Sequence, residues 1–416
     1  MGRPSCTSDP TSRVGWVASP LSEAFLDRLT VLLFTAFLDS VALLMIVPLL
    51  PFHATGLGGG GAVVGLLMAT VPLVQLVSAP LWGRLSDRVG RKPVLLIGMG
   101  AAVVASVLLA LADSLPALFV SRVVQGVGGG TVGVLQAYVV DVTRPEARAH
   151  ALGRVSAATS LGVMLGPALG ALGASVGPSA PGYFAAALGA CNVLLAAWLL
   201  PEAASRAGEA HGSPGRNGDV LRVLLHPREP VARLVWTYVL AMGAFQGGTA
   251  VLSLLLAERF GLTARTVGWV YLFTGAVAVV ARALLLGRAV TRWGEARLWR
   301  GGVVLLSGGL ALLAFAEGPW GLAVALALMP LGTAFTFPCV TALLSRHAAA
   351  TERGRVLGMQ HAWGGLSRAL APMGAGWAFE HLTPGAPFWL GAVLALTPLL
   401  LGAVGRDAPD GSRGFS

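Results

Sequence analysis

The feature that most constrains this 416-residue chain is a recurrence of apolar runs, each near the roughly 20 residues a helix needs to cross a bilayer. They fall at 29–50, 62–83, 93–112, 116–140, 151–174, 182–201, 232–257, 266–287, 300–316, 319–344, 355–379 and 385–404, numbered here as spans 1 to 12. Lipid offers no partners to backbone N–H and C=O groups, so each run must be a helix that satisfies its own. Only 12% of the residues are charged and 55% are hydrophobic, where a soluble protein carries about 25% charged residues. Those proportions exclude a soluble enzyme, a disordered chain and a nucleic-acid binder. The three cysteines, Cys6 in a polar tail and Cys191 and Cys339 in apolar runs, have neither ligand nor disulfide spacing. No metal and no cofactor are expected. The first 27 residues are polar and lack the apolar core and cleavage site of a signal peptide.

The net charge of +10 is an orientation signal. Assigning loops to alternate sides puts 23 of the 29 basic residues on one side, among them Arg84, Arg88, Arg91, Lys92, Arg144, Arg148, Arg346 and Arg353. The other side holds Arg259 and Arg265, and Arg122, Arg154, Arg282 and Arg368 fall inside spans. Basic loops stay in the cytoplasm, so both termini are expected there, in a multi-pass protein of the cell (inner) membrane.

The polar stretch 202–231 divides the spans six and six, and the halves resemble each other. Gly83-Arg84-Leu85-Ser86-Asp87-Arg88-Val89-Gly90 aligns with Gly287-Arg288-Ala289-Val290-Thr291-Arg292-Trp293-Gly294 at an offset of 204. Arg148, Leu152, Gly153 and Pro167 align with Arg353, Leu357, Gly358 and Pro372 at an offset of 205. Six-span halves in one orientation form a parallel repeat about an axis along the membrane normal, with a cavity between halves that can rock. The expected organisation is a tail (1–27), a six-helix bundle (28–201), a linker (202–231), a second six-helix bundle (232–404) and a second tail (405–416).

Between spans 2 and 3, Gly83 and Gly90 permit a tight turn between helix ends. Asp87 is placed to accept backbone N–H groups at a helix start. Arg91 is placed to pair with Asp141 at the end of span 4. This ordered set, Gly83, Asp87, Arg88, Gly90 and Arg91, resembles the signature loop of the major facilitator superfamily. The resemblance covers about residues 25–405. It implies an all-α membrane fold of twelve transmembrane helices in two pseudo-symmetric six-helix bundles. It further implies that the loop latches an outward-open state, with Asp87 capping the start of span 11 and Arg91 and Asp141 in a charge relay. Thr291 stands at the repeat position of Asp87.

Other spans extend the resemblance. In span 4, Arg122 with Gln125 on the same face resembles a family motif whose arginine is implicated in proton transfer. Arg122 otherwise snorkels to the nearby interface. In span 5, Gly162, Gly166, Pro167 and Gly170 present a small-residue face that lets a neighbouring backbone approach. They resemble the motif of exporters that run as antiporters. Simple helix packing needs the same face. In span 1, Asp39 is a lone carboxylate in an apolar helix, suited to exchange a proton, pair with a cationic substrate or bond a neighbouring helix. Leu38 to Pro51 is similar to the first span of tetracycline/proton exporters. Ala105 stands where those exporters carry an aspartate in span 3, so the resemblance implies the broader drug/proton antiporter group. His361 in span 11, sharing a face with Arg368, is either a second proton site or a bridge between helices.

A transporter and not an enzyme is therefore expected, taken as a monomer. The resemblance implies export of a small amphipathic compound or drug by alternating access, coupled to protons. No phosphate-binding loop for ATP is present, and no nucleic-acid partner is expected. An importer or facilitator of a small solute on the same fold is the alternative.

Overall fold

A computed structural model describes residues 20–144, 147–202, 229–348 and 352–400. Most of the 202–231 linker, and both tails apart from the stretch that begins at Pro20, lie outside the described residues. The described chain folds as helices. Ten are long and apolar enough to cross a membrane. Arg353–His381 and Ala386–Leu400 complete twelve spans. Arg353–His381 carries Arg355, Gln360, His361, Arg368 and Glu380, which lowers its hydropathy and not its length.

Several spans run longer than the apolar pattern. The first helix begins at Pro20, inside the expected tail, runs to Ile46, and continues through a 3-10 turn (Val47–Leu49) into Leu50–Gly56. Pro48 and Pro51 sit at the starts of those short pieces, where a missing N–H costs nothing. Span 4 breaks at Gly130 and Thr131, between Leu115–Gly129 and Val132–Val142. The expected loop 83–93 is mostly helix. Span 2 runs Gly61–Val89, and only Gly90, at φ 106°, turns the chain into Arg91–Ala110. Nothing in Gly83 to Val89 breaks a helix, and one residue with positive φ suffices for the corner. The second half repeats this at Gly294, φ 74°, between Leu286–Trp293 and Glu295–Phe315.

The halves pack internally and then meet along two crossings, span 2 on span 11 and span 5 on span 8. Both crossings depend on residues without bulk. A Cβ added at Gly61 would lie 2.9 Å from the Gly376 carbonyl oxygen, and one at Gly65 would overlap the Pro372 carbonyl and sit 2.9 Å from Gly376 Cα. The repeat does the same: a Cβ on Gly268 would overlap the Pro167 carbonyl, and one on Gly275 would lie 2.9 Å from Met164 Cα. All these residues occupy the end of the helices away from the arginine-rich loops, called the far end here. Two hydrogen bonds add to the closure there. Ser253 Oγ donates to the Pro48 carbonyl at 2.9 Å, and Ala62 N–H donates to Glu380 Oε2 at 2.7 Å. The latter caps the first turn of span 2 with a carboxylate from the other half.

At the arginine-rich end the same four helices part. Gly83, Gly153, Gly287 and Gly358 have open space where their far-end counterparts are overlapped. The molecule is thus closed at the far end and open, as a cleft between halves, at the other.

Glycine at the crossing is a steric requirement. Gly65→Leu, and separately Glu380→Ala, should loosen the far end. Spin labels at the exposed Thr55 and Leu382 should report longer and broader distances in each variant than in the parent.

Candidate functional site

Two polar centres lie within the membrane-spanning region. The first is inside the N-terminal bundle. Asp39 lines a cavity of about 20 Å³, room for about one water, with Ser106 of span 3, Gln125 of span 4 and Asn192 of span 6. Asn192 Nδ2 donates to the Thr35 carbonyl at 3.1 Å. Asn192 Oδ1 and Gln125 Oε1 are buried without partners among the described residues. Arg122 does not snorkel: it is 1% exposed, its Nε donates to Ser121 Oγ at 3.4 Å, and Nη2 is buried without a partner. Among the described residues no ion pair joins it to Asp39. Asn192 did not stand out in the sequence, although an amide in an apolar run was the available signal.

The second centre is the cleft wall of the second half. On span 11, Gly365, Pro372 and Gly376 face span 2. His361 and Arg368 fall at the same helical spacing, and both are exposed. On span 8, Arg282 follows Gly268 and Gly275 at seven-residue intervals, within a π turn at Ala281–Leu285, and is exposed. Such single π turns are frequent at functional sites.

At the arginine-rich end, Arg91 is the hub. Its Nη1 donates to Asp87 Oδ1 and Ser86 Oγ at 2.6 Å, and its Nε donates to Asp141 Oδ2 at 2.9 Å. The Arg91 and Asp141 side chains are 8% and 15% exposed, and Asp87 is 64% exposed. Asp87 sits in the last turn of a helix, not at a helix start, so its own chain offers it no free N–H groups. It turns to Arg91. With the halves apart it does not reach span 11. Gly83 lies mid-helix and makes no turn, and Arg88 is exposed. The second half holds an ion pair at the equivalent place: Arg346 Nη2 to Glu295 Oε1, 2.8 Å.

The span 5 glycines face span 1 of their own half. Added Cβ atoms at Gly162 and Gly166 would lie 2.7 Å from the Phe37 and 2.8 Å from the Val41 carbonyl, and one at Gly170 would overlap the Met45 carbonyl. Pro167 instead faces Gly268 across the halves. A separate cavity of about 690 Å³ lies at the far end, walled by Ile46, Leu49, Leu50, Phe52 and Leu109 with His53 and Arg265. Among the described residues no group of His, Cys, Asp or Glu is arranged to hold a metal.

Twelve spans in two repeated halves, joined at one end around a cleft, define a multi-pass membrane transporter. Comparison with known proteins agrees. A family model described as Major Facilitator Superfamily matches residues 32–294 and 234–414. The chain is 30% identical to tetracycline resistance protein, class C, of Escherichia coli over 352 residues, 83% of this chain and 88% of the relative. It is 29% identical to multidrug resistance protein 2 of Bacillus subtilis (strain 168) over 84% of this chain and 88% of the relative. By fold it is similar to the human organic anion transporter MFSD10 (TETRAN), with TM-score 0.65, 24% identity, and 91% of this chain and 99% of that one covered. It is also similar to the nucleoside transporter NupG, with TM-score 0.73, 17% identity, and 90% and 98% covered. The chain belongs to the Major Facilitator Superfamily, and it is a transporter, not an enzyme.

The two ion pairs differ in burial, and removing one partner of a buried pair strands a charge. Arg91→Gln, which leaves the Asp141 carboxylate at 15% exposed without its arginine, should cost about 3 kcal/mol, whereas Glu295→Gln, which leaves only Arg346 at 70% exposed, should cost less than about 1 kcal/mol. Thermal unfolding of the detergent-purified protein should rank them in that order.

Proposed function

We propose that this transporter exports a small amphipathic compound in exchange for protons, by alternating access in a cell (inner) membrane. The arginine-rich end is then cytoplasmic, with both termini, and the described conformation is open inward. The observation that carries the reading is Asp39. It is the one acidic residue placed well inside a span among the described residues, and it lines a water-sized polar cavity. A carboxylate kept in such surroundings is expensive unless it moves something. In this reading Asp39 binds and releases the proton, and Gln125 and the buried Arg122 set the polarity around it. His361 contacts the cargo from the cleft. The relatives named for tetracycline and multidrug resistance support export of a drug-like cargo.

The halves, about residues 28–201 and 232–404, move as bodies joined by the 202–231 linker, in a monomer. Gly162, Gly166 and Gly170 bind span 5 to span 1 so that the pair moves together, and Pro167 places that pair on span 8. Gly83, Asp87, Arg88, Gly90, Arg91 and Asp141 form the cytoplasmic latch. When the cleft closes, the antiparallel pairing of spans 2 and 11 brings Asp87 opposite the first turn of span 11 near Gly354. A carboxylate is stabilising at that helix start.

Everted membrane vesicles holding a pre-formed pH gradient test the reading. Transported compounds should release protons with the parent protein, and Asp39→Asn should abolish that release while the protein remains in the membrane. Equal release from parent and Asp39→Asn would remove Asp39 from the coupling.

A further inference from the structure

Resting on that reading of the cleft as the transport path, we infer that the cargo carries a negative charge, held by Arg282 and Arg368 with His361 beside them. The carrying observation is a one-sided distribution of charge. From residue 229 to residue 400 the acidic residues are Glu229, Glu258, Glu295, Glu317, Glu352 and Glu380. Every one lies at or near a helix end or in a connection. Three of them are already engaged: Glu295 with Arg346, Glu352 with Arg355, and Glu380 with the start of span 2. The membrane interior of the second half therefore holds two arginines and a histidine with no acid to balance them.

Neither Arg282 nor Arg368 has an ion-pair partner among the described residues. Each costs on the order of 3 kcal/mol to place in a span by insertion scales, and such residues face a water-filled cavity or a partner. The helix faces identify which. Arg368 lies between Gly365, whose added Cβ would touch Leu76 of span 2 at 3.1 Å, and Pro372, which meets Gly65. Arg282 lies one seven-residue step beyond Gly275, which meets Met164 of span 5. Arg282 thus lies past Gly275 on the face of span 8 that meets span 5, and Arg368 lies within the crossing of spans 2 and 11, between the Gly365 and Pro372 contacts, where it is exposed. Tyr238 of span 7, packed on Phe337 with ring centroids 5.2 Å apart, lies against Gly364 and adds an aromatic surface next to Arg368.

Guanidinium groups bind carboxylate, sulfonate or phosphate through paired N–H donors. An aromatic acid fits the span 11 side of this wall, its ring against Tyr238 and its anionic group on Arg368, with Arg282 adding positive charge from span 8. A lipophilic cation is disfavoured at the same wall by like charge. The cleft thereby separates two tasks: an acid in the first half, and a basic wall in the second.

A matched dye pair tests the charge preference on the purified full-length protein. Fluorescein is a dianion, and a rhodamine ester keeps the same ring system as a cation. Equilibrium binding followed by fluorescence polarisation should show fluorescein bound more tightly. Arg368→Gln and Arg282→Gln should each weaken fluorescein by about tenfold and leave the rhodamine ester unchanged or improved. Arg368→Lys, which keeps the charge but not the paired donors, should weaken fluorescein less than Arg368→Gln does. Tighter binding of the rhodamine ester by the parent, or unchanged fluorescein binding in both Gln variants, would overturn the inference. The comparison of dyes on the parent decides even where a variant fails to fold. Fluorescein binding with this dependence, but no proton release in vesicles for any compound, would remove the antiport reading and leave the anion site. Proton release by a rhodamine ester without fluorescein binding would do the reverse.

Discussion

The close approach of backbone to backbone at the two Gly–Pro crossings is the interaction on which the rest of this molecule depends. Lipid is as apolar as leucine, so no hydrophobic force drives one membrane helix against another. Dispersion contacts must serve instead, and they fall away within an ångström of separation. Gly65 against Pro372 and Gly268 against Pro167 supply those contacts twice, at repeat-related positions. Ser253 and Glu380 reinforce them with hydrogen bonds across the halves. With one end gathered, helices as long as Gly61–Val89 and Arg353–His381 diverge toward the other. The cleft, the exposure of His361 and the separation of Asp87 from span 11 all follow from that divergence.

Polarity is divided between the halves in a way that matches the geometry. The first half buries its polar groups inward: Asp39, Gln125 and Asn192 share a cavity walled by spans 1, 3, 4 and 6. The second half buries neutral groups such as Gln360 and Thr336, and carries its ionisable ones, Arg282, His361 and Arg368, at exposed positions on spans 8 and 11. A group sealed in a cavity responds to the packing of four helices around it. A group on an open wall meets whatever enters.

Much of this was legible from residues alone. The spans, the repeat and the pairing of Arg91 with Asp141 were readable because hydropathy, offset and charge are written locally. Helix ends were less so: the stretch from Gly83 to Val89 reads as loop because it is polar, yet polarity does not stop a helix, and only Gly90 does. The depth of Arg122 was hidden because position along a span says nothing about which neighbours cover it. The span 5 glycines announced close packing but not their partner. Gly162, Gly166 and Gly170 turn to span 1, and one residue away Pro167 turns to span 8. Glu380 passed unnoticed because a carboxylate at a helix end looks like ordinary surface until the far half is seen to offer it the Ala62 N–H.

The two ion pairs at the arginine-rich end occupy repeat-related places with their signs exchanged. Arg91 begins span 3 where Glu295 begins span 9, and Asp141 ends span 4 where Arg346 ends span 10. Each half is fastened at the same joint, by a bolt threaded left-handed in one copy and right-handed in the other. Complementarity is common to the two halves and polarity is not. Within a half the two partners must change in concert, so a stretch transplanted from one half into the other would set like against like at the joint.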